Sequence, residues 1–402
     1  MLNTNITFVS LNYAPEDSAI GLYSTQWVNF LSNAGYNVTV ITAFPYYPKW
    51  EISNAYKGKK TFIKEELNGA TVLRYKQYVP KRPSFFKRII HIIDFTFGSF
   101  INLTKVKKCD LVISVVPFTS SVFLGYLLKK RFNANLWMHI QDFEFDAALE
   151  TGVGSKKNII FSYLFKLEKW LFSKADLAST ISYSMLNKLS EKTNSEQFFL
   201  PNWIDDKKID PKKSKVHRYL RSKKIKILYS GNIGDKQDWE AFIQFCKDVD
   251  CIKYEIVIVG DGSKKVWVSD NIKPFENVNY YPLVPFEELS DLLCSADIHI
   301  LFQKPEVVDT VMPSKVLGMM ASAKPSIIIG NSKSEVKSIF EECVDSGLYF
   351  SEYSMAVIEG LNTLTMDIEM SKIKGEIARN YVINFFSKDK ILSDMLKQIK
   401  KL

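Results

Sequence analysis

The segment YSGNIGDKQ, Tyr229 to Gln237, constrains the fold more than any other stretch of the 402 residues. A β-rich run, Ile225 to Tyr229, leads into a turn holding Gly231 and Gly234. Lys236 follows, and then a helical pattern begins. Glycines let backbone come close to a bulky anion, and the N–H groups at a helix start, aided by an ammonium, hold a diphosphate. Such a loop opening the first half of a chain marks an ordinary dinucleotide fold. Past the middle, it marks the start of a second α/β domain and assigns the nucleotide to it.

The rest of the pattern agrees with two α/β domains. In the first half, Ile6 to Leu11, Val38 to Thr42, Leu111 to Val115 and Leu136 to Ile140 read as strands. Tyr23 to Ala34 reads as a helix capped by Gly35, and Ser120 to Lys130 as another. In the second half, Ile225 to Tyr229, Glu255 to Val259, Val278 to Tyr281, Ile298 to Phe302 and Ser326 to Ile329 read as strands. Trp239 to Asp248 and Phe286 to Ala296 read as helices. Alternation of this kind predicts parallel sheets covered by helices. The boundary is set near Pro201, in PNWIDD, with residues 1–200 before it and 201–383 after it. The lysine-rich stretch Lys207 to Lys226 reads as a solvated connector.

Composition narrows the partners. The formal net charge is +9, yet no Arg-rich helix or nucleic-acid motif is present, which ranks phosphate and anionic membrane above nucleic acid. Five scattered cysteines form no metal-ligand spacing and fit a reducing compartment. The N-terminal residues lack the pattern of a signal peptide, and no apolar run is long enough to span a bilayer, so a cytoplasmic protein is expected. PKRPSFFKRIIHIIDFTFGSF, Pro80 to Phe100, sets Lys81, Arg82, Lys87 and Arg88 beside many Phe and Ile residues. It reads as a helix lying in an anionic membrane interface, or else as a buried helix with a charged lead-in.

Further segments sit at strand exits. VGDG, Val259 to Gly262, is a second glycine-rich exit containing Gly260. In YYPLVP, Tyr280 to Pro285, backbone groups are placed to read a flat base edge. DTVMPSKVLGMMASAKP runs from Asp309 to Pro325. In the first half, MHIQDFEFDA sets His139 and Asp142 just after a strand, where capping or mutual pairing is as good a local reading as chemistry.

In their order, NYAPEDSAIGLYS, PYYPKW, MHIQDFEFDA, PNWID, YSGNIGDKQ, VGDG and PSK…MASAKP resemble glycosyltransferase family 4 over nearly the whole chain. The resemblance is closest to its bacterial fucosyl- and fucosamine-transferase-like branch. It implies a GT-B fold, two Rossmann-like domains facing across a cleft, with residues 384–402 crossing back onto the first. It implies a retaining, metal-independent hexosyl transfer from a UDP- or GDP-sugar, with no other cofactor. N-acetylfucosamine or fucose is the implied sugar, and a polyprenyl-diphosphate-linked glycan at the inner face of the plasma membrane is the implied acceptor. By position, Lys236 is the diphosphate lysine and His139 stands beside the transferred sugar, the two implied catalytic residues. Gly21 falls in a loop approaching the diphosphate. Leu283 and Val284 meet the base, Gly231 and Gly260 line the site, and Asp142 and Glu144 face the acceptor. The usual arginine of the loop is Asn232, and the second of the paired acids is Gly318. Asp309, Pro313, Ser314 and Lys315 are the expected replacements on the donor side. A GT-B sugar-nucleotide epimerase and a non-catalytic nucleotide-sugar binder are the alternative readings. An epimerase needs carboxylates placed for acid–base work at the sugar.

Overall fold

A computed structural model describes residues 4–17, 19–117, 119–143, 145–146, 159–307 and 314–402. The chain divides into two compact units, Met1–Leu200 with Leu396–Leu402, and Pro201–Met395.

Unit 1 carries an eight-stranded sheet in the order β3-β4-β2-β1-β5-β6-β7-β8. The strands are β1 (Asn5–Val9), β2 (Asn37–Ala43), β3 (Phe62–Leu67), β4 (Ala70–Tyr75), β5 (Leu111–Val116), β6 (Asn135–Ile140), β7 (Leu177–Thr180) and β8 (Glu196–Phe199). All pairings are parallel except β3 with β4, which form a hairpin. Its helices are α1 (Ala19–Asn33), α2 (Phe85–Lys105), α3 (Thr119–Phe132), α4 (Ile159–Phe172) and α5 (Tyr183–Ser190). Every residue of β5 is buried, as the continuous apolar run LVISVV requires of a strand covered on both faces. Gly35, just beyond α1, adopts φ +90°, the left-handed conformation that ends a helix at low cost.

Unit 2 carries a six-stranded parallel sheet in the order β11-β10-β9-β12-β13-β14. Its strands are β9 (Ile225–Asn232), β10 (Tyr254–Asp261), β11 (Val278–Tyr281), β12 (Ile298–Phe302), β13 (Ser326–Ile329) and β14 (Gly347–Phe350). Its helices are α6 (Trp239–Asp248), α7 (Lys265–Ile272), α8 (Leu289–Ser295), α9 (Ser314–Ala321), α10 (Glu335–Glu342), α11 (Met355–Met366), α12 (Ile368–Phe386) and α13 (Lys388–Ile399). The strand order reverses between β9 and β12. In an open α/β sheet that switch point, at the carboxyl ends of the strands, is where a ligand has room to enter.

The C-terminal residues are divided between the units. Ser387 bridges Ile204, and Lys388 pairs with Asp205, both within unit 2. Within unit 1, Gln398 Nε2 donates to Glu196 Oε1 at 2.9 Å and Asn135 Nδ2 to the Leu402 carbonyl at 2.6 Å.

Candidate functional site: the glycine loop after β9

The loop after β9 stands at the switch point of unit 2, and its shape follows from two glycines. Gly231 has φ +133°, a conformation open to glycine and costly for other residues. A β-carbon there would also come within 2.8 Å of Lys315 Cε. On the neighbouring strand, a β-carbon at Gly260 would come 2.1 Å from the Gly231 carbonyl oxygen, so the two strand exits touch backbone to backbone. The Ile233 N–H donates to the Asp261 carbonyl at 2.9 Å and Lys264 N–H to the Ile233 carbonyl at 2.9 Å, tying the loop to VGDG. The Trp239 indole N–H donates to the Gly234 carbonyl at 3.0 Å, and Gln237 Oε1 accepts from Gly234 N at 3.0 Å. Lys304 N–H donates to the Lys236 carbonyl at 3.1 Å, which joins the loop to the end of β12.

Lys315 braces the loop from the first turn of α9. Its ammonium donates to Tyr229 Oη at 2.8 Å and to the Asn232 carbonyl at 3.1 Å. Tyr229 Oη in turn donates to the same carbonyl at 2.6 Å. The ammonium also lies 4.9 Å from the centre of the Tyr229 ring, within cation–π range. Burial lowers its pKa to about 7. The same burial raises the Tyr229 phenol above its ordinary value, so Tyr229 stays a neutral donor. Lys236 and Asn232 are exposed on the loop.

The other donor-side residues divide. Leu283 is half exposed and Val284 half-buried, just past β11. Asp309 and Pro313 lie outside the described residues, as does the side chain of Ser314. Gly318 is buried in α9, where a β-carbon would come 3.3 Å from Leu293 Cδ1. That position carries packing where the family pattern has an acid. Two residues escaped the reading of the sequence as side chains in their own right. Tyr229 lies within YSGNIGDKQ, where an aromatic closing a strand reads as core. Tyr280, whose hydroxyl donates to the Gly260 carbonyl at 2.9 Å, lies in YYPLVP, where the sequence points to backbone groups alone.

In unit 1 the expected residues are differently placed. His139 is 2% exposed at the end of β6. Its Nδ1 lies 2.9 Å from Ser179 Oγ, and Gln141 Nε2 donates to its Nε2 at 2.8 Å. That contact leaves Nδ1 to carry the proton. Ser179 Oγ also accepts from the Trp137 indole at 2.7 Å. Trp27 meets the imidazole edge-on at 5.2 Å. Burial lowers the His139 pKa to about 3, so the ring is neutral. Gln141, mostly buried, occupies the nitrogen that a sugar hydroxyl would otherwise meet.

Gly21, expected in a loop, is instead in the first turn of α1. A β-carbon there would approach Glu16 Cβ within 2.7 Å, so the glycine lets the preceding loop pack onto the helix. Glu16 Oε1 accepts from the N–H groups of Tyr46 and Tyr47 at 2.8 and 2.9 Å, and Oε2 accepts from Asn12 at 2.8 Å. Buried Glu16 thus ties the NYAPE loop to the backbone of Tyr46 and Tyr47. Asp142 is half-buried past β6, and Glu144 lies outside the described residues. Asp146 is bound by Lys188 at 3.0 Å and Lys192 at 2.7 Å. Burial raises its pKa, but the two lysines outweigh that and hold it below the ordinary value. Among the described residues, no group of three or more His, Cys, Asp or Glu side chains is arranged to hold a metal ion.

Comparison with known proteins accords with this geometry. No family model matches the chain. A putative colanic acid biosynthesis glycosyl transferase of Escherichia coli K12, WcaI, is 31% identical over 412 residues, covering 98% of this chain and 99% of the relative. Among solved structures, a sucrose-phosphate synthase from Thermosynechococcus elongatus superposes with a TM-score of 0.76 at 13% identity, over 99% of both chains. The Anabaena protein Alr3699/HepE in complex with UDP-glucose gives 0.68 at 11% identity, over 100% of both chains.

Proposed function

The chain belongs to the GT-B glycosyltransferases of polysaccharide biosynthesis, in the family of the colanic acid relative, and on that premise we propose that it moves a deoxyhexose from a nucleoside-diphosphate donor to a lipid-linked glycan. The observation that carries the proposal is the glycine loop at the β9–β12 switch point, with one exposed lysine and one half-buried lysine at its edge. Unit 2 takes the donor and unit 1 the acceptor.

Lys236 and the loop amides neutralise the leaving diphosphate. Lys315 supplies a second cation in a loop where Asn232 leaves the usual arginine out. A dianion beside Lys315 favours its charged form and so draws a proton onto it. These groups supply the charge stabilisation through the protein's own ammonium groups, and one such group contributes roughly 10²–10³ in rate. The transfer retains anomeric configuration, with the leaving phosphate accepting the proton of the acceptor hydroxyl. His139, neutral and fully hydrogen-bonded, is a positioning residue here: it orients Gln141. Leu283 and Val284 offer backbone groups to the base. A buried glycine at 318 leaves the ribose to the Asp309–Lys315 segment.

UDP-N-acetylfucosamine or GDP-fucose is the donor and a polyprenyl-diphosphate glycan at the inner membrane face the acceptor. A thermal-shift panel of UDP-, GDP- and dTDP-sugars, followed by product analysis on polyprenyl-linked acceptors, tests this. Stabilisation by a fucose-type donor and a retained anomeric centre are the expected results. Stabilisation by glucose- or mannose-type donors alone overturns the sugar assignment. Interconversion of donor epimers without transfer overturns the reaction.

A further inference from the structure

Helix α2 is built inside out. Its outward stripe is Phe86, Ile90, Ile93, Phe97 and Ile101, with exposures of 76, 53, 49, 69 and 49%. The spacing of four, three, four and four residues places all five along one side of a helix. The side turned to the protein holds His91, Phe95, Ser99 and Asn102, each 0 or 1% exposed. A helix on a protein surrounded by water has the reverse arrangement.

The inner polar groups account for the orientation. His91 Nδ1 donates to the Tyr78 carbonyl. Asp94 accepts from Tyr75 Oη at 3.0 Å and from Tyr78 N at 2.6 Å. Gly98 lets the Tyr75 ring approach so closely that a β-carbon would come 2.2 Å from it. His91 and Asp94 are thus held by the end of β4 and the segment after it. The apolar side is left facing outward.

The neighbours of α2 extend the same surface. β4 to β5, β5 to β6 and β6 to β7 all step in one direction across the sheet. Right-handed crossovers then put α2, α3 and α4 on one face. Rings join the three: Phe100 to Phe123 at 6.0 Å and Tyr126 to Trp170 at 5.8 Å. On α4, Tyr163, Leu167 and Trp170 are exposed at 68, 38 and 45%. The charges on this face have one sign. Lys81, Arg82, Lys87, Lys130, Lys166 and Lys169 are exposed. The acids of the three helices are Asp94, held as described, and Glu168, 1% exposed and paired with Lys192.

We propose that the face formed by α2, α3 and α4 is a docking surface for an anionic lipid bilayer, with α2 lying in the plane of the interface. No helix among the described residues is long and apolar enough to cross a membrane. Large apolar side chains beside lysines and arginines favour the boundary between headgroups and acyl chains. A second copy of the chain fits less well, because a two-fold contact sets like charges against one another. The inference stands apart from the donor reading, since it requires neither nucleotide nor transfer.

Sedimentation of the full-length protein with vesicles tests it. One set is phosphatidylcholine alone, and the other carries about a third phosphatidylglycerol. Two variants accompany the wild type: Ile90→Gln/Phe97→Gln/Ile101→Gln, and Lys81→Glu/Arg82→Glu/Lys87→Glu. Both change exposed side chains, and circular dichroism reports their folding. The wild type is expected to partition onto the anionic vesicles and to be released by salt. Each variant is expected to lose about ten-fold or more in partitioning. A wild type that stays in the supernatant overturns the proposal. So does a stripe variant that binds as tightly as the wild type. A lipid-free dimer that the stripe substitutions convert to a monomer assigns the face to a second copy and overturns it as well.

Discussion

The ends of β9 and β6 each carry residues expected to do chemistry and are finished in opposite ways. The end of β9 has glycines and the exposed Lys236, and Lys315 reaches it from α9 with its pKa lowered to about 7. After β6 it has a histidine closed between Ser179 and Gln141, beneath Trp27, with its pKa lowered to about 3. Burial disfavours charge in both places, but only the first keeps its cations within reach of a ligand. The difference separates electrostatic work from positional work. A diphosphate needs charge and amides, which the first end offers. A sugar needs shape and neutral hydrogen-bonding groups, and the enclosed His139–Gln141 pair at the second end is of that neutral kind.

The largest effect that tests this contrast is at Lys236. Lys236→Ala is expected to lower the transfer rate about 10²–10³-fold with the melting temperature unchanged. A loss under ten-fold in initial-rate assays would erase the distinction between the two ends. Next is Gly260→Ala. Its new β-carbon would fall 2.1 Å from the Gly231 carbonyl, so a stability loss of about 1–3 kcal/mol is expected in denaturant melts. Donor affinity should fall with it, because the loop must shift.

His139 sharpens the contrast through pH. The folded chain keeps the ring neutral down to about pH 3, whereas the unfolded chain takes up a proton below about 6.5. Stability from this group is therefore full above pH 6.5 and falls as the pH drops toward 3. His139→Asn should remove up to about 1.4 kcal/mol per pH unit from that acid slope. His299, also lowered to about 3 by burial, should keep its own share. An unchanged slope in urea melts at pH 5 to 7 would show that His139 does not resist protonation.

The smallest effect is at Lys315. The folded state gives up its proton near pH 7 and the unfolded state only near 10.5. The penalty of burying this ammonium is full below pH 7 and fades as pH rises toward 10.5. Lys315→Met without ligand should thus gain most, relative to wild type, at pH 6. That relative gain should shrink by on the order of 1 kcal/mol between pH 7 and 9. A gain that is constant with pH would mean the ammonium is not depressed.

Much of this was legible in the amino-acid sequence. Val278–Tyr281, Ile298–Phe302, Ser326–Ile329 and Trp239–Asp248 match their elements residue for residue. Buried parallel strands and amphipathic helices announce themselves by period. The β3–β4 hairpin did not, because its strands alternate only partly and Asn68-Gly69 was not read as the turn it makes. The glycine loop was legible because glycine spacing is local information. The Lys315–Tyr229 brace was not, since 86 residues separate its ends. His139 was found by its position after a strand. Its enclosure depends on Trp27 and Ser179, which no local pattern brings to it. The direction in which α2 faces also escaped period analysis. Hydrophobic spacing gives the stripe, and the partners of His91 and Asp94 decide which side turns inward.

The central claim is that the β9 loop holds a nucleoside diphosphate through Lys236. Titration calorimetry of UDP and GDP against UMP and GMP, on wild type and Lys236→Ala, addresses it directly. The account predicts that the wild type prefers one diphosphate over its monophosphate by about ten-fold or more and that Lys236→Ala loses most of that preference. Equal affinity for mono- and diphosphates in the wild type, or a preference unchanged in Lys236→Ala, would contradict it.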